Sequence, residues 1–311
     1  MRTQRRLAVS IAILLCTLVA GAQGKVRNLQ VDILSTMVAE EGFGEWGFSA
    51  LVTVDGHKIL FDTGAHDDTV LRNLHELHLS LSDVPEVILT HHHNDHTAGL
   101  VTLRRDVAQS NPTALAKAYV AQDFFTDRKK NGQLLTKIRE IKEGYEAAGG
   151  KFIEVDGLRE LYPGVWLSGP IPRKYPERNW DGHQMIVQKD GSLIEDTLPE
   201  DQALIIDTTK GLVIITGCGH AGIINISEFA RSKVRNAPLY AVIGGIHLYD
   251  ADDKTIQWTA GKLKEFQIQN LIGTHCTGID TLYKLRALLG LNSKTATVGP
   301  VGSNFIIRDG N

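Results

Sequence analysis

The segment Thr90-His91-His92-His93-Asn94-Asp95-His96-Thr97-Ala98-Gly99 places four of the chain's twelve histidines and one acid in six consecutive positions. Imidazole and carboxylate are ligands for divalent first-row metals, so this spacing carries geometric information. In extended backbone, positions i and i+2 project to one side; His91 and His93 are therefore candidates for one metal while His92 points elsewhere. Once the chain turns into a helix, Asp95 and His96 can face a second metal a few ångströms away, and Gly99 allows close packing there. A solvated histidine cluster would need neither the interposed acid nor the buried strand ahead of it.

The elements that position these residues are legible around them. Val87-Ile88-Leu89 is a short apolar strand running into the cluster, and Ala98 to Ala108 has helical character after it. Upstream, Leu51 to Val54 and His57 to Phe61 flank Asp55-Gly56, the signature of a two-residue hairpin. The second strand exits into Asp62-Thr63-Gly64, where Asp67 or Asp68 can cap a helix carrying Val70, Leu71, Leu74 and Leu77 on one face. The second half repeats this grammar. Ala203 to Ile206 and Leu212 to Ile215 flank a polar turn and exit into Thr216-Gly217-Cys218-Gly219-His220, ahead of a helix from Ile223 to Arg231. Leu271-Ile272-Gly273 leading into Thr274-His275 echoes Val87 to Thr90 leading into His91. Two pseudo-equivalent β-rich halves facing one cleft are expected. Between them, residues 169–182 hold three prolines and no periodicity, and read either as a cover over the cleft or as a solvated connector.

Composition bounds the rest. With 42% hydrophobic and 22% charged residues over 311 positions, the chain is a folded globular protein, and its net charge of −3 with no long basic run argues against a dedicated nucleic-acid binder. Arg2, Arg5 and Arg6 precede an apolar run from Leu7 to Ala20 and the small-residue triplet Ala20-Gly21-Ala22, which reads as a cleaved signal peptide over residues 1–22 and a periplasmic or secreted protein. The run is shorter than the roughly 20 residues of a membrane span, so no stable anchor is expected. Cleavage removes three arginines and no acid, taking the net charge from −3 to −6. It leaves Cys218 and Cys276, each close to a histidine, as a disulfide pair or as part of a metal site.

The histidine segment resembles the signature of the metallo-β-lactamase superfamily, with Phe61-Asp62-Thr63-Gly64 matching its acidic motif and Leu271 to His275 its final histidine motif. The likeness spans nearly all of residues 25–311 and implies a single α/β domain, an αββα sandwich of two β-rich halves with helices outside, carrying a loop insertion around 169–182. Leu212 to His220, Gly244 to Leu248 and Thr274 to Gly278 further resemble the branch named for a dihydropterin ribofuranosylaminobenzene phosphate synthase.

Carried over residue by residue, the resemblance implies that His91 and His93 bind the first metal and that Asp95, His96 and His275 bind the second. Superfamily hydrolases place a histidine just before the Ala203 strand, where this chain has Glu200 or Asp201, and an aspartate or cysteine at the end of the Leu212 strand, where it has Cys218. His220 is the candidate for the missing ligand of the first metal, with phosphate or carboxylate binding as its alternative. His247 is the reserve, as a metal or substrate contact or a core histidine, and Cys218 is a further candidate ligand. Asp62 is expected to fix a ligating histidine's tautomer. His57, His66, His75, His78 and His183 default to the surface.

The implied activity is a metal-dependent hydrolase of a small-molecule ester, lactone, amide or phosphoester. Two Zn²⁺ ions are expected, with Mn²⁺ or Fe²⁺ as alternatives, a metal-bound hydroxide attacking and Asp95 orienting it or moving its proton. A metal-dependent transferase of the synthase type and a non-catalytic metal-binding module are the rival readings, and oligomeric state is not legible.

Overall fold

Apolar side chains alternate between two destinations along the strands, and this sets the layering. In the strand Gly211–Thr216, Leu212 and Ile214 join one apolar cluster while Val213 and Ile215 join another. Its neighbour Ala203–Thr208 divides in the same way, Ala203 and Ile205 against Leu204 and Ile206. A strand that is apolar at every position must be covered on both faces. In the computed structural model, which describes residues 24–177 and 182–309, a second sheet and a layer of helices provide the two covers.

The middle layer joins Val31, Val52, Ile59 and Phe61 of one seven-stranded sheet to Leu204, Ile206, Val213, Ile215 and Ile243 of another. Outside the first sheet, Thr69–Glu76, Leu100–Ala108 and Lys137–Ala147 pack through Val70, Leu74, Leu103, Ile138 and Ile141. Outside the second, Ile223–Lys233, Asp253–Glu265 and Ile279–Leu289 pack through Ile226, Ile256, Leu263 and Leu285. This is the αββα sandwich that the family resemblance implies. No helix among the described residues is long and apolar enough to cross a membrane.

The two sheets share one strand plan. In the first, Asn304–Arg308, Asn28–Ser35, Ser49–Val54 and His57–Phe61 are antiparallel, and Glu86–Ile88, Lys117–Ala121 and Lys151–Val155 follow in parallel. In the second, Arg159–Tyr162, Val165–Leu167, Ala203–Thr208 and Gly211–Thr216 are antiparallel, and Leu239–Gly244, Asn270–Gly273 and Ala296–Val298 follow in parallel. By place in the sheet, His57–Phe61 corresponds to Gly211–Thr216. The strand before His91 corresponds to the one before His247, not to the one before His275, so the sequence echo between His91 and His275 is displaced by one strand. Leu271 to Gly273 and Val87 to Leu89 look alike because both are short parallel strands buried in a sheet interior.

The hairpin forms as expected, Val54 pairing with His57 across Asp55 and Gly56, both at positive φ (44° and 88°). Asp68 precedes the helix Thr69–Glu76 but makes no side-chain cap. A third sheet of four short strands, Leu193–Glu195, Gln184–Val187, Arg128–Lys130 and Gln133–Leu134, was not anticipated. The signal segment 1–22 lies outside the described residues.

Candidate metal centre

Parallel strands end on a common edge, and the donor side chains are carried by the loops leaving those ends. Asp62 follows His57–Phe61, His91 follows Glu86–Ile88, Cys218 and His220 follow Gly211–Thr216, His247 follows Leu239–Gly244, and His275 follows Asn270–Gly273. The short helix Asn94–Thr97 brings in Asp95 and His96 and is tied to the sheet: the Thr63 N–H donates to His96 O (2.7 Å) and the Phe48 N–H to Asp95 O (3.1 Å).

Asp62 organises this junction. Its Oδ1 accepts the Thr90 N–H (2.8 Å), and its Oδ2 accepts both the Thr90 hydroxyl (2.8 Å) and His96 Nδ1 (2.7 Å). A carboxylate can only accept, so His96 Nδ1 carries its proton and Nε2 faces the donors. Gly217 must lack a side chain here, because a Cβ would come within 2.5 Å of Asp62 Oδ2 and press on the Thr90 hydroxyl.

Two donor groups meet at one sulfur. His91, Cys218 and His220 each offer an atom within 4.8 Å of the others, and Asp95, His96, Cys218 and His275 do the same. Within the second group, His96 Nε2 lies 3.1 Å from Cys218 Sγ, and Asp95 Oδ2 lies 3.2 Å from His275 Nε2. His93 stands beside the first group with its Nδ1 3.1 Å from His91 Nε2, and its ring centre is 5.1 Å from that of His220. His247 sits 4.4 Å from His220, ring to ring, and forms a third group with Cys218 and Cys276. Both cysteines are buried free thiols.

His91, His93 and Asp95 are in the state that a divalent metal needs, whereas His96 and Cys218 must give up a proton to ligate one. Burial, and then the neighbouring histidines, push His91 and His93 well below ordinary imidazole, so both are neutral with a lone pair to offer. Burial pulls the Asp95 carboxyl up, but the His96 and His275 rings outweigh it and hold Asp95 well below the usual carboxylate range. Against burial, Asp62 and Asp95 raise His96 to about 9. Burial and the Cys276 sulfur push the Cys218 thiol up. Cys276 is lowered despite its burial, by the Cys218 hydrogen bond and the adjoining His275 and His247 rings. Buried imidazoles packed ring against ring, with a carboxylate and a thiol among them, form an N, O and S donor set able to hold a metal ion.

Sequence reasoning missed the support behind this cluster. His92, its ring 4.7 Å from that of His93, bonds through Nδ1 to Glu200 Oε1 (2.6 Å); Arg128 binds Glu200 Oε2 (2.7 Å) and Asp196 Oδ2 (2.9 Å). Glu200 thus holds His92 and Arg128. Asp201, raised to about 7 by burial, accepts the Ala221 N–H next to His220 (2.7 Å). The described part of the segment 169–182, read from sequence as either a cover or a connector, is residues 169–177, and it behaves as a strap. Arg173 donates to Leu198 O and His220 O, Asn225 Oδ1 accepts the Lys174 and Tyr175 N–H groups, and Glu177 accepts those of Ile224 and Asn225. It fixes the loop bearing His220 and the start of the following helix. Trp46 (47% exposed) and Tyr249 (49% exposed) were also missed; they meet at 5.5 Å and flank His275 and His247. His57, His66, His75, His78 and His183 are all exposed.

Residues 47–172 match the model of the metallo-beta-lactamase superfamily. A 7,8-dihydropterin-6-methyl-4-(beta-D-ribofuranosyl)-aminobenzene-5'-phosphate synthase of Methanocaldococcus jannaschii is 29% identical over 265 residues, covering 82% of this chain and 90% of that protein. An uncharacterized protein of the same organism is 31% identical over 248 residues, 79% of this chain and 89% of its own. Among solved structures, a metal-dependent hydrolase of the beta-lactamase superfamily superposes with a TM-score of 0.69 at 24% identity, covering 90% of this chain and all of that one. A diphosphatase from the PhnP family superposes at 0.53 with 14% identity, over 90% and 98%.

Proposed function

The chain belongs to the metallo-β-lactamase superfamily, and from that premise we propose that it is an exported dinuclear metallo-hydrolase of small molecules, acting on an ester, lactone, amide or phosphoester. The observation that carries the reading is the convergence of two donor groups on Cys218. His91 and His220, with His93 beside them, would hold one cation, and Asp95, His96 and His275 the other. Bound there, the pair supplies Lewis acidity and lowers the pKa of a coordinated water. The protein's own part is positional. Asp62 fixes the His96 tautomer, the Arg173 strap holds the His220 loop, and Asp95 is an ionised carboxylate able to accept a hydrogen bond from a coordinated water and so orient it. Trp46 and Tyr249 offer aromatic surface at the rim. Zn²⁺ is the metal we favour from the mixed imidazole, thiol and carboxylate set.

The test is metal reconstitution of the protein followed by turnover of phosphodiesters, lactones, thioesters and β-lactams. Turnover that His93→Ala abolishes supports the reading, and turnover that survives it moves the catalyst elsewhere. A second reading, a transferase, is favoured by the likeness to the synthase; it predicts that no hydrolysable substrate is turned over unless a second reactant accepts the transferred group. Export rests on residues 1–22 and predicts that the mature protein begins near Gln23, which intact-mass measurement checks.

A further inference from the structure

Two half-exposed aromatic side chains stand at the mouth of the donor cluster, one from each half of the sandwich. Trp46 (47% exposed) lies in the loop between strands Asn28–Ser35 and Ser49–Val54 of the first sheet, and Tyr249 (49% exposed) follows strand Leu239–Gly244 of the second. Apolar residues exposed singly are ordinary, but these two touch each other, with ring centres 5.5 Å apart and planes at 79°. Each also meets a donor imidazole: Trp46 lies 5.0 Å from His275 and Tyr249 lies 5.5 Å from His247, ring to ring. The Asp95 side chain is 24% exposed and its Oδ2 is 3.2 Å from His275 Nε2, so the donors open to solvent beside Trp46.

Both rings are carried by backbone that is fixed to the donor segments. Gly47 packs so closely on the donor helix that a Cβ there would come within 2.7 Å of Asp95 O, and the Phe48 N–H donates to that same oxygen (3.1 Å). On the other side of Trp46, the buried Glu45 carboxylate accepts the Ser35 hydroxyl (2.6 Å) and the Ala65 N–H (2.9 Å). The Tyr249 N–H donates to Cys276 O (3.2 Å), the residue after His275, and a Cβ on Gly278 would come within 2.7 Å of Tyr249 Cα. Rings held in this way are pre-organised, so little ordering remains to oppose a ligand that docks on them.

Their perpendicular setting selects the occupant. Aromatic rings favour offset-stacked and edge-to-face contacts, and a corner of two perpendicular rings offers a flat ring both at once: it stacks on one partner and meets the other at right angles. A saturated ring or an acyl chain gains only the buried area there. We propose that Trp46 and Tyr249 form a recognition platform for a planar aryl group of the substrate, held beside the bond that reacts at the donors. This assignment rests on the hydrolase reading of those donors and narrows its substrates to aryl-bearing ones.

The probes are benzylphosphonate and cyclohexylmethylphosphonate, anions with the same metal-binding head and six-membered rings of which only one is aromatic. Titration calorimetry on the metal-loaded full chain should show benzylphosphonate binding about fivefold or more tightly, the value of one favourable ring pair. Trp46→Leu and Tyr249→Leu, which keep an apolar side chain without the ring, should each reduce that preference and together remove it, with metal content and thermal midpoint retained. Trp46→Phe and Tyr249→Phe should keep it. Among esters that the protein turns over, benzyl esters should have a lower KM than cyclohexylmethyl esters at similar kcat, and the double leucine variant should equalise them. Equal affinity for the two phosphonates, a preference that persists in the double leucine variant, or no binding of benzylphosphonate overturns the proposal. Ester turnover without the KM difference overturns the platform and leaves the hydrolase reading standing. Benzylphosphonate bound with the expected preference by a protein that turns over nothing supports the platform and overturns the hydrolase reading.

Discussion

Replacing Asp62 with asparagine isolates the part of the metal centre that works without touching metal. The side chain keeps its size, but one of two accepting oxygens becomes an amide that donates. Oδ1 serves the Thr90 N–H, which cannot turn to suit a donor, so the new amide falls where Oδ2 was, facing His96 Nδ1 and the Thr90 hydroxyl. His96 must then accept at Nδ1 and carry its proton on Nε2, the atom that lies 3.1 Å from Cys218 Sγ and would ligate. The variant loses a charge-assisted hydrogen bond, about 1.5–3 kcal/mol, and must shift a tautomer to bind metal. Metal affinity should fall roughly 10- to 100-fold, equivalent to about 1.4–2.8 kcal/mol. Competition against a fluorescent chelator measures this, with circular dichroism to show that the variant is folded. Gly217→Ala crowds the same oxygen and should act in the same direction. A folded Asp62→Asn protein within threefold of the unaltered affinity would refute the assignment of Asp62 as the His96 anchor.

Two further outcomes are expected away from the donors. Glu200→Ala leaves the buried Arg128 and His92 without their shared carboxylate and should cost about 3–5 kcal/mol in denaturant unfolding; a loss under about 1 kcal/mol would mean the network does not matter for stability. Burial raises Glu177 to about 7 from an ordinary value of 4.5. At low pH both states hold the proton and there is no penalty; as pH rises towards 7 the unfolded chain ionises first, and by pH 8 the folded state should have lost about 3 kcal/mol on this account. Glu177→Gln should therefore show a weaker fall in stability between pH 4.5 and 7 than the unaltered protein, and parallel stability profiles would contradict it.

Local signals exposed most of the fold and its chemistry. The Asp55-Gly56 turn, the doubly apolar strands and the alternating histidines are each written in a few adjacent residues, where backbone geometry alone dictates the outcome. The support behind the site is not local. His92 and Glu200 are separated by 108 positions and Arg128 and Asp196 by 68, so nothing near Arg128 indicates that its guanidinium is buried between two acids. The four-stranded sheet is not legible in sequence because its strands span only two to four residues, with Gln133–Leu134 and Leu193–Glu195 exposed at every position and no apolar face to set a period. The echo between His91 and His275 misled because strand order, which decides which loops are equivalent, is a property of the sheet and not of any short segment.

The central claim is that Cys218 stands between two cation sites built from His91 and His220 on one side and Asp95, His96 and His275 on the other. Anomalous diffraction at the zinc edge from zinc-loaded crystals tests it most directly. The account predicts two peaks, each within bonding distance of its own donor group and both near Cys218 Sγ. A folded protein that shows no peak there, or peaks only at surface histidines such as His75 and His78, would contradict it.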